Sequence, residues 1–248
     1  MTTIRDISEY CRSIAPYELA DEWDNVGLLV GSEDAAVDTV LLALDITPEV
    51  VREAAESGAQ LIVSHHPVIF DPLRELRPDS AVYQLAHSDI AALCLHTNLD
   101  RAEGGVNTAL AAALELKDTA LYPDDYLLTG TPSRPMSAEE FARSIKDRLN
   151  APSVRYTDGT VTRVAVSSGG GGEGIELCGK YGFDAFVTGE LKHHQYNYAV
   201  SHGIAAFDAG HYPTENVVIE PLRAKLAERF GDVAFSISER YICPYKSV

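Results

Sequence analysis

The sequence predicts an α/β fold built from two similar α/β domains that descend from an internal duplication, with mostly parallel sheets covered by helices. Short apolar segments alternate with helical patterns of about ten residues, which is typical of parallel strands joined through helices. The strand–helix–strand pattern of residues 37–66 returns without a gap at residues 161–190. Histidines and carboxylates follow several predicted strands, at the edge where α/β sheets bind ligands.

The first half opens with an amphipathic helix over residues 4–14, in which apolar side chains recur at helical spacing. A buried strand is predicted at 39–44. A helix follows, because Thr47 can cap its amino terminus and Pro48 fits its first turn. Gly58 can end that helix, and the apolar run after it predicts a second buried strand. The order strand, helix, strand indicates a parallel pair.

The second half repeats this order 124 positions further on, which is half the length of the chain. A repeat of that length indicates a duplicated domain, since solenoid repeats are far shorter. Segments 90–95 and 203–208 share an apolar pattern, although the second copy is shorter before this point. The polar segment 116–135 contains three Pro and one Gly and predicts the boundary between the domains. The expected domains are therefore 1–125 and 126–248.

The composition is that of an acidic globular protein. At 248 residues with 46% hydrophobic side chains, the chain can bury its own core. No apolar run approaches the roughly 18 residues that cross a bilayer, so we expect a cytoplasmic protein without membrane contact. The net charge of −17 repels a phosphate backbone, which argues against nucleic acid as a partner. The four cysteines lie far apart and are expected to be reduced and mostly buried.

Three segments carry the residue types that bind transition metals. A pair of histidines ends the apolar run at 61–64, and two later segments each read His-x-x-x-carboxylate after a short apolar stretch. The residues concerned are His65, His66, His96, Asp100, His211 and Glu215. Nitrogen and oxygen ligands without thiolate fit Zn, Fe, Mn or Ni. The pattern predicts a first coordination shell for one or two such ions, with the boundary between the halves as its expected place.

The same ligands predict a type of chemistry. Neutral imidazoles and two carboxylates would leave two divalent ions with a net positive charge, which favours bound hydroxide and an anionic substrate. Either Asp100 or Glu215 could bridge two ions roughly 3.5–4 Å apart. The sequence has neither a Gly-x-Ser-x-Gly elbow nor a Walker lysine, so metal-bound water is the expected nucleophile. We therefore expect hydrolysis.

The glycine-rich segment 169–174 formally satisfies the G-x-G-x-x-G pattern of dinucleotide sites, with Glu190 further along the chain. The first half carries residues 45–48 at the equivalent turn in place of glycines, so the turn itself does not require a nucleotide. We interpret the segment as a strand-to-helix turn, at which a phosphate could still approach backbone N–H groups.

Two further features leave alternatives open. His193 and His194 either line a cavity as proton donors or lie on an exposed helix turn. Residues 23–28, with the sequence Trp-Asp-Asn-Val-Gly-Leu, are either a loop that contacts another group or an Asx-type turn that enters a strand.

Five motifs occur in order along the chain, at residues 23–28, 64–67, 96–100, 188–190 and 210–215. Together they resemble the motifs of the Nif-three-like, or YbgI-type, dinuclear-metal family, whose members carry the label GTP cyclohydrolase 1 type 2 homologue. The resemblance runs from about Ile4 to Arg223. Ser64 stands where a threonine is expected before the histidine pair.

The resemblance implies two similar α/β domains with a two-metal site between them, and a homohexamer whose sites face an internal cavity. Carried over by position, the ligands of two divalent ions are His65, His66, Asp100, His211 and Glu215, with His96 nearby. The chain is similar to the short form of the family, which lacks a domain that other members insert between the halves.

The predicted function is that of a dinuclear metal-binding protein, a metal-dependent hydrolase in which metal-bound hydroxide attacks a small anionic or nucleotide-like substrate. His96, His193 and His194 are the predicted catalytic residues, which would assist by moving protons. The alternative is a non-catalytic metal-handling or scaffold protein. The sequence selects neither a substrate nor one metal.

Overall fold

The computed structural model describes residues 1–247, which form two compact units. Unit 1 consists of Met1–Ala102 together with Ile219–Ile242. Unit 2 consists of Glu103–Val218 and the residues from Cys243 onward.

These limits differ from the predicted domains, 1–125 and 126–248, in the middle and at the end of the chain. The strand Ala234–Ile237 pairs with the strand Thr39–Ala43, and so the C-terminal segment returns to unit 1. The segment 116–135, in which the boundary is predicted, instead contributes two strands to the sheet of unit 2.

Helices and strands alternate along most of the chain. The helices are α1 (Ile4–Ile14), α2 (Pro48–Ser57), α3 (Ala81–His87), α4 (Thr97–Arg101), α5 (Val106–Ala113), α6 (Ala138–Arg148), α7 (Ile175–Tyr181), α8 (His193–His202), α9 (His211–Glu215) and α10 (Ile219–Arg229). Short 3₁₀ turns lie at Tyr17–Leu19, Pro123–Asp125, Gly171–Gly174 and Asn216–Val218. Within residues 1–247, none of the helices has the length and apolar character that a bilayer span requires.

Most strands are short. They are β1 (Gly27–Val30), β2 (Thr39–Ala43), β3 (Leu61–Ser64), β4 (Ala91–Cys94), β5 (Lys117–Tyr122), β6 (Leu127–Thr131), β7 (Met136–Ser137), β8 (Arg155–Tyr156), β9 (Thr160–Val161), β10 (Val164–Ser167), β11 (Ala185–Thr188), β12 (Ala205–Asp208) and β13 (Ala234–Ile237).

Local signals in the sequence fix the ends of the first helices. The side chain of Thr47 caps α2, Pro48 occupies its first position, and Gly58 ends it in the left-handed conformation at φ 71°. A capping box between Thr3 and Asp6 starts α1. Both helices therefore begin where the sequence predicts.

The sheet of unit 1 has five strands in the order β1-β4-β3-β2-β13. The strands β4, β3, β2 and β13 are parallel to their neighbours, whereas β1 lies antiparallel to β4 at the edge. Helices α2 and α3 cover one face, where they pack against Leu41, Ile62 and Ala92. The carboxyl ends of β2, β3 and β4 consequently meet at one edge of the sheet.

The sheet of unit 2 has six strands in the order β5-β6-β10-β11-β12-β8, and β7 and β9 form a separate antiparallel pair. Both faces of its central strands are buried. Val164 and Val166 of β10 belong to a core with α6, whereas Ala165 belongs to a second core with α7 and α8. Burial on both faces explains the continuous apolar runs that predict these strands.

The prediction of an α/β fold with helices covering the sheets is confirmed, but the prediction of mostly parallel sheets is wrong. In unit 2 only the pairs β10–β11 and β11–β12 are parallel, while β5–β6, β6–β10 and β8–β12 are antiparallel. A short turn joins β5 to β6, and such a connection permits only antiparallel pairing. The sheets are therefore mixed.

The predicted repeat has a counterpart in the strand pairing of each unit. Val40 of β2 lies opposite Leu61 of β3, and Val164 of β10 lies opposite Ala185 of β11. The second pair of residues is 124 positions after the first, as the repeat requires. The shared register supports the internal duplication, which we retain as a proposal.

Candidate metal centre

In unit 1, candidate ligands lie where three parallel strands end. His65 and His66 follow β3 directly, and His96 comes two residues after β4. Asp45 comes two residues after β2. The backbone N–H groups of His66 and Leu95 continue the parallel ladder past the strands, with hydrogen bonds of 2.9 and 3.0 Å. Because carboxyl ends of parallel strands meet at one edge, the fold gathers these side chains.

His65, His66 and His96 form a compact group, which we call the histidine cluster. The ring centroids of His65 and His66 are 4.9 Å apart, and that of His96 lies 5.3 and 5.5 Å from them. One nitrogen of each ring lies within 4.8 Å of the other two. Imidazole nitrogens are common ligands of transition-metal ions, so the cluster can contribute to a metal site.

Each ring of the histidine cluster has its Nδ1 atom beside an oxygen acceptor. The contacts are His65 Nδ1 to the Leu95 carbonyl oxygen at 2.8 Å, His66 Nδ1 to Asp45 Oδ1 at 2.9 Å, and His96 Nδ1 to Asp24 Oδ1 at 2.8 Å. An acceptor at Nδ1 holds the proton of a neutral imidazole there, which puts the metal-binding lone pair on Nε2. A carboxylate or carbonyl behind the ring is the usual support of a metal-binding histidine.

Asp24 reaches the cluster from the loop before β1. Because β1 runs antiparallel to β4, the residues before it lie at the carboxyl end of β4. The Asp24 side chain is fully buried and also accepts hydrogen bonds from the backbone N–H and hydroxyl of Thr97. Burial alone would raise the pKa of Asp24, but the hydrogen bonds from His96 and Thr97 outweigh it and lower the pKa to about 2. Asp24 is therefore a permanent carboxylate at neutral pH.

Asp100 lies in the short helix α4, which follows the histidine cluster in the chain. Its backbone N–H donates to the carbonyl oxygen of His96 at 3.1 Å. This turn places Asp100 Oδ1 at 3.7 Å from Nε2 of His65. Unit 1 thus brings a carboxylate oxygen close to the nitrogen that carries the metal-binding lone pair of His65 in this tautomer.

Buried thiols are not part of the donor set. Burial raises the pKa of Cys11 and of Cys178 to about 12, and it raises the pKa of Cys94 well above its usual value. Cys94 keeps its proton and donates it to the backbone carbonyl oxygen of His65 at 3.0 Å. The expectation of mostly buried, reduced cysteines agrees with these positions.

In unit 2, His211 and Glu215 lie four residues apart in α9, on one face of the helix. Nε2 of His211 is 3.0 Å from Oε2 of Glu215, and Nδ1 of His211 is 2.9 Å from Oε1 of Glu190. Metal–ligand bonds of about 2.0–2.2 Å would separate adjacent ligand atoms by about 3 Å. The pair therefore has the spacing of neighbouring ligands, and Glu190 supports the imidazole as Asp24 supports His96.

Two glycines make room for this pair. At Gly169, where φ is 55°, an added Cβ would overlap the carboxylate of Glu215 and lie 3.0 Å from Nε2 of His211. At Gly189, an added Cβ would lie 2.7 Å from Oγ1 of Thr214 and 2.8 Å from the His211 Cα. The glycine-rich turn after β10 is thus required by the neighbouring side chains, whether or not it binds a phosphate.

His193 and His194 occupy the first turn of α8, where both are exposed. Nε2 of His193 is 3.4 Å from the amide nitrogen of Asn197 in the same helix. A pocket of about 530 Å³ in unit 2 is lined by residues that include His211 and Glu190. In the part of the chain that the structure describes, His193 and His194 are not among the lining residues.

The sequence-based prediction of site residues omits three supporting carboxylates, Asp24, Asp45 and Glu190. Asp45 follows β2 much as His65 follows β3, and that position is a signal which the sequence contains. Asp24 is harder to find, because its place depends on the antiparallel pairing of β1 with β4. The 23–28 loop therefore does contact another group: the histidine ring and Thr97 both donate to Asp24.

Comparison with known proteins identifies relatives over the whole length of the chain. The model of the family described as Duf34/NIF3 (NGG1p interacting factor 3) matches residues 2–244. A protein of Clostridium perfringens named GTP cyclohydrolase 1 type 2 homolog is 30% identical over 99% of each chain. Its namesake in Streptomyces coelicolor is 34% identical over 87% of this chain and 82% of its own. The crystal structure of Staphylococcus aureus protein SA1388 has a TM-score of 0.93 at 30% identity, covering 100% of this chain and 99% of that one.

Proposed function

Because the chain belongs to the Duf34/NIF3 family, we propose that it is a metal-dependent hydrolase with a dinuclear metal centre, acting on a small anionic or nucleotide-like substrate. The observation that carries the proposal is the state of four imidazoles, those of His65, His66, His96 and His211. Each has an oxygen acceptor at Nδ1, and such an acceptor favours the neutral tautomer whose metal-binding lone pair is on Nε2. Three of the four acceptors are carboxylates, which also increase the basicity of the ring.

The proposed ligands are His65, His66, Asp100, His211 and Glu215, with His96 beside them. Unit 2 offers one imidazole and one carboxylate, whereas a protein-bound transition-metal ion usually has at least three protein ligands. The pair in α9 is therefore incomplete by itself. We propose that both units contribute to a shared centre between the domains and that it holds two divalent ions, which can be Zn, Fe, Mn or Ni.

The charge of this ligand set favours an anionic substrate. Two carboxylates carry a charge of −2, and two divalent ions carry +4, so a net positive charge of about two remains. Bound ions of this kind lower the pKa of water and polarise the bond under attack. The pocket in unit 2 has the volume of a small-molecule site. Its lining includes Arg155 and Lys192 but also Asp208, which pairs with Arg155, and Glu190, so the proposed positive charge comes from the bound ions.

His96 is the proton carrier that the contacts support best. The buried carboxylate of Asp24 fixes its tautomer and orientation, so that Nε2 can accept a proton from a nucleophile and return it to a leaving group. His193 and His194 are predicted for the same role, but both are exposed on α8, and the contact of His193 is with the amide of Asn197 in the same helix rather than with a carboxylate. We retain as proposals the homohexamer, which the resemblance implies, and the cytoplasmic location, which the sequence predicts.

Activity measurements on metal-loaded protein test the proposal. GTP is the first substrate to assay because relatives bear the name GTP cyclohydrolase 1 type 2 homolog, followed by other nucleotides and simple phosphoesters. We expect Asp100→Ala to abolish turnover, while His87→Asn, which changes an exposed histidine of α3, retains it. Protein that binds metal but turns over none of these compounds would favour the alternative role in metal handling. Equal activity in wild type and Asp100→Ala would refute the hydrolase.

A further inference from the structure

Two large aromatic side chains are exposed beside the histidine cluster. Trp23 is 60% exposed and Phe70 is 51% exposed. Trp23 precedes the buried Asp24, and Phe70 belongs to the loop after His66, which has no counterpart at the equivalent place in the second half of the chain. Aromatic side chains are usually buried because burial of their apolar surface is favourable, and these two rings lack that stabilisation.

Both rings approach the same histidine. The ring centroids of Trp23 and Phe70 are 5.7 Å apart. They lie 6.2 and 6.3 Å, respectively, from the ring centroid of His96. Each meets the His96 ring nearly edge-on, at 76° and 78°. The two exposed rings therefore border the proposed metal centre directly.

The backbone that carries these rings is held in place. The side-chain amide of Asn25 donates to the carbonyl oxygen of Ile69 at 2.6 Å, which joins the two loops next to the rings. Asp24 is fixed by its contacts with His96 and Thr97. Because the two loops are already ordered, a ligand that binds at this position pays a smaller entropic cost.

The size of the exposed surface favours a small ligand. An aromatic side chain buries about 150–250 Å² in full, so the exposed parts of two rings amount to on the order of 200 Å². A stable protein–protein interface buries about 800 Å² on each partner. A small heteroaromatic ring matches this surface better: the planes of Trp23 and Phe70 are inclined by 54°, so such a ring can stack on one of them and contact the other at an angle.

We propose that Trp23 and Phe70 form an aromatic platform that binds the flat ring of a small anionic ligand, with the ligand's anionic end directed toward the histidine cluster. The position of the anionic end rests on the proposed metal centre, whereas binding of the ring rests on the platform itself. The two parts can therefore fail separately. The platform selects ligands that carry both an aromatic ring and an anionic group.

Fluorescence can test the platform, because Trp23 is the only tryptophan of the sequence. Metal-free protein is titrated with guanosine and uridine, and with ribose 5-phosphate as a probe without an aromatic ring. We expect saturable quenching of Trp23 by the nucleosides and none by ribose 5-phosphate. Phe70→Leu should weaken the nucleoside binding by about ten-fold, a typical loss for one stacked ring.

Leu76→Ala is the matched control, since Leu76 is 52% exposed on the same loop and has no aromatic ring. It should change the nucleoside affinity by less than about two-fold. Three results would overturn the platform: no saturable quenching by either nucleoside, equal effects of Phe70→Leu and Leu76→Ala, or shielding of Trp23 from acrylamide that increases with protein concentration. The last would indicate that a second copy covers the rings.

A second titration separates the platform from the metal centre. With Zn²⁺-loaded protein, guanosine 5′-monophosphate should bind more tightly than guanosine, and this preference should disappear in metal-free protein. Ring binding without any metal-dependent preference would leave the platform standing and would contradict its link to the proposed centre.

Discussion

Equivalent strand ends carry different side chains in the two units. In unit 1, the turns after β2 and β3 hold Asp45 and the pair His65–His66; in unit 2, the equivalent turns hold Gly169 and the pair Gly189–Glu190. After β4 and β12, both units continue with a histidine followed four residues later by a carboxylate. The strand pairing is repeated in the two units, but the distribution of candidate ligands over it is not.

The glycines explain this difference. His211 and Glu215 occupy the space in which side chains at 169 and 189 would lie. The position of His66, a candidate ligand, is taken in unit 2 by Glu190, which contacts the ring of the candidate ligand His211. Unit 1 thus presents imidazoles from two strand ends, whereas unit 2 concentrates its ligands on one helix.

The largest effect on stability and metal binding is expected from adding a side chain at Gly169, where unit 2 leaves room for Glu215 and His211. Gly169→Ala should displace the carboxylate of Glu215, lower the free energy of unfolding by about 2–3 kcal/mol and abolish Zn²⁺ binding, because the Cβ is both strained and overpacked. Calorimetric titration and chemical denaturation measure both quantities. Gly170→Ala is the control, since a Cβ there meets nothing within 4 Å. Wild-type Zn²⁺ affinity in Gly169→Ala would contradict the role of the glycine.

Removing the charge of the carboxylate that contacts Nδ1 of an imidazole should weaken metal binding in both units, but not equally. Asp24→Asn should lower Zn²⁺ affinity by about 100-fold and Glu190→Gln by about 10-fold, the two ends of the range for such supporting groups. Asp24 is fully buried, whereas the side chain of Glu190 is 63% exposed and water can take its place. Competition with a chelator of known affinity measures both. The opposite order would show that burial does not determine the strength of these contacts.

Acid stability should report the buried carboxylate of unit 1. The folded-state pKa of Asp24, about 2, lies below its ordinary value of 3.8, so its contribution is complete above about pH 5 and is lost as the pH falls toward 2. We expect the metal-free protein to lose about 2 kcal/mol of unfolding free energy from this group over that interval. Denaturation at several pH values should show a smaller loss in Thr97→Val, which lacks the hydroxyl donor. If Thr97→Val lost as much unfolding free energy at low pH as the wild type, the hydrogen bond from Thr97 would not be what lowers the pKa of Asp24.

The smallest effect should come from the buried thiols. Cys94→Ala removes a hydrogen bond to the backbone carbonyl of His65 and should lower Zn²⁺ affinity by about two- to three-fold. Cys178→Ala in unit 2 is the matched control, since its sulfur lies 3.8 Å from the carbonyl oxygen of Gly174, which is not a candidate ligand. Equal affinities in the two variants would show that this hydrogen bond does not position His65.

Local sequence patterns determine much of this structure, and long-range pairing determines the rest. The caps of α2 and the buried strands β2 and β3 follow from residues close together in the chain. The pairing of β13 with β2 joins segments almost 200 residues apart, and no local pattern encodes it. The antiparallel edge strand β1, which brings Asp24 to His96, is equally non-local.

The same distinction applies to the candidate site. Histidines that follow strands could be found from the sequence, because the carboxyl ends of parallel strands collect ligands. The resemblance to the family is confirmed by the match over residues 2–244. The supporting role of Glu190 could not be found, because it depends on how α9 turns the ring of His211 toward β11.

The metal content of variants matched across the two units tests the central claim most directly. Elemental analysis of protein loaded with Zn²⁺ should find two ions per chain in the wild type and in His87→Asn. His66→Asn in unit 1 and His211→Asn in unit 2 should each reduce the content to one ion or fewer, because the proposed centre takes ligands from both units. Wild-type metal content in either variant would contradict a dinuclear centre built from these residues.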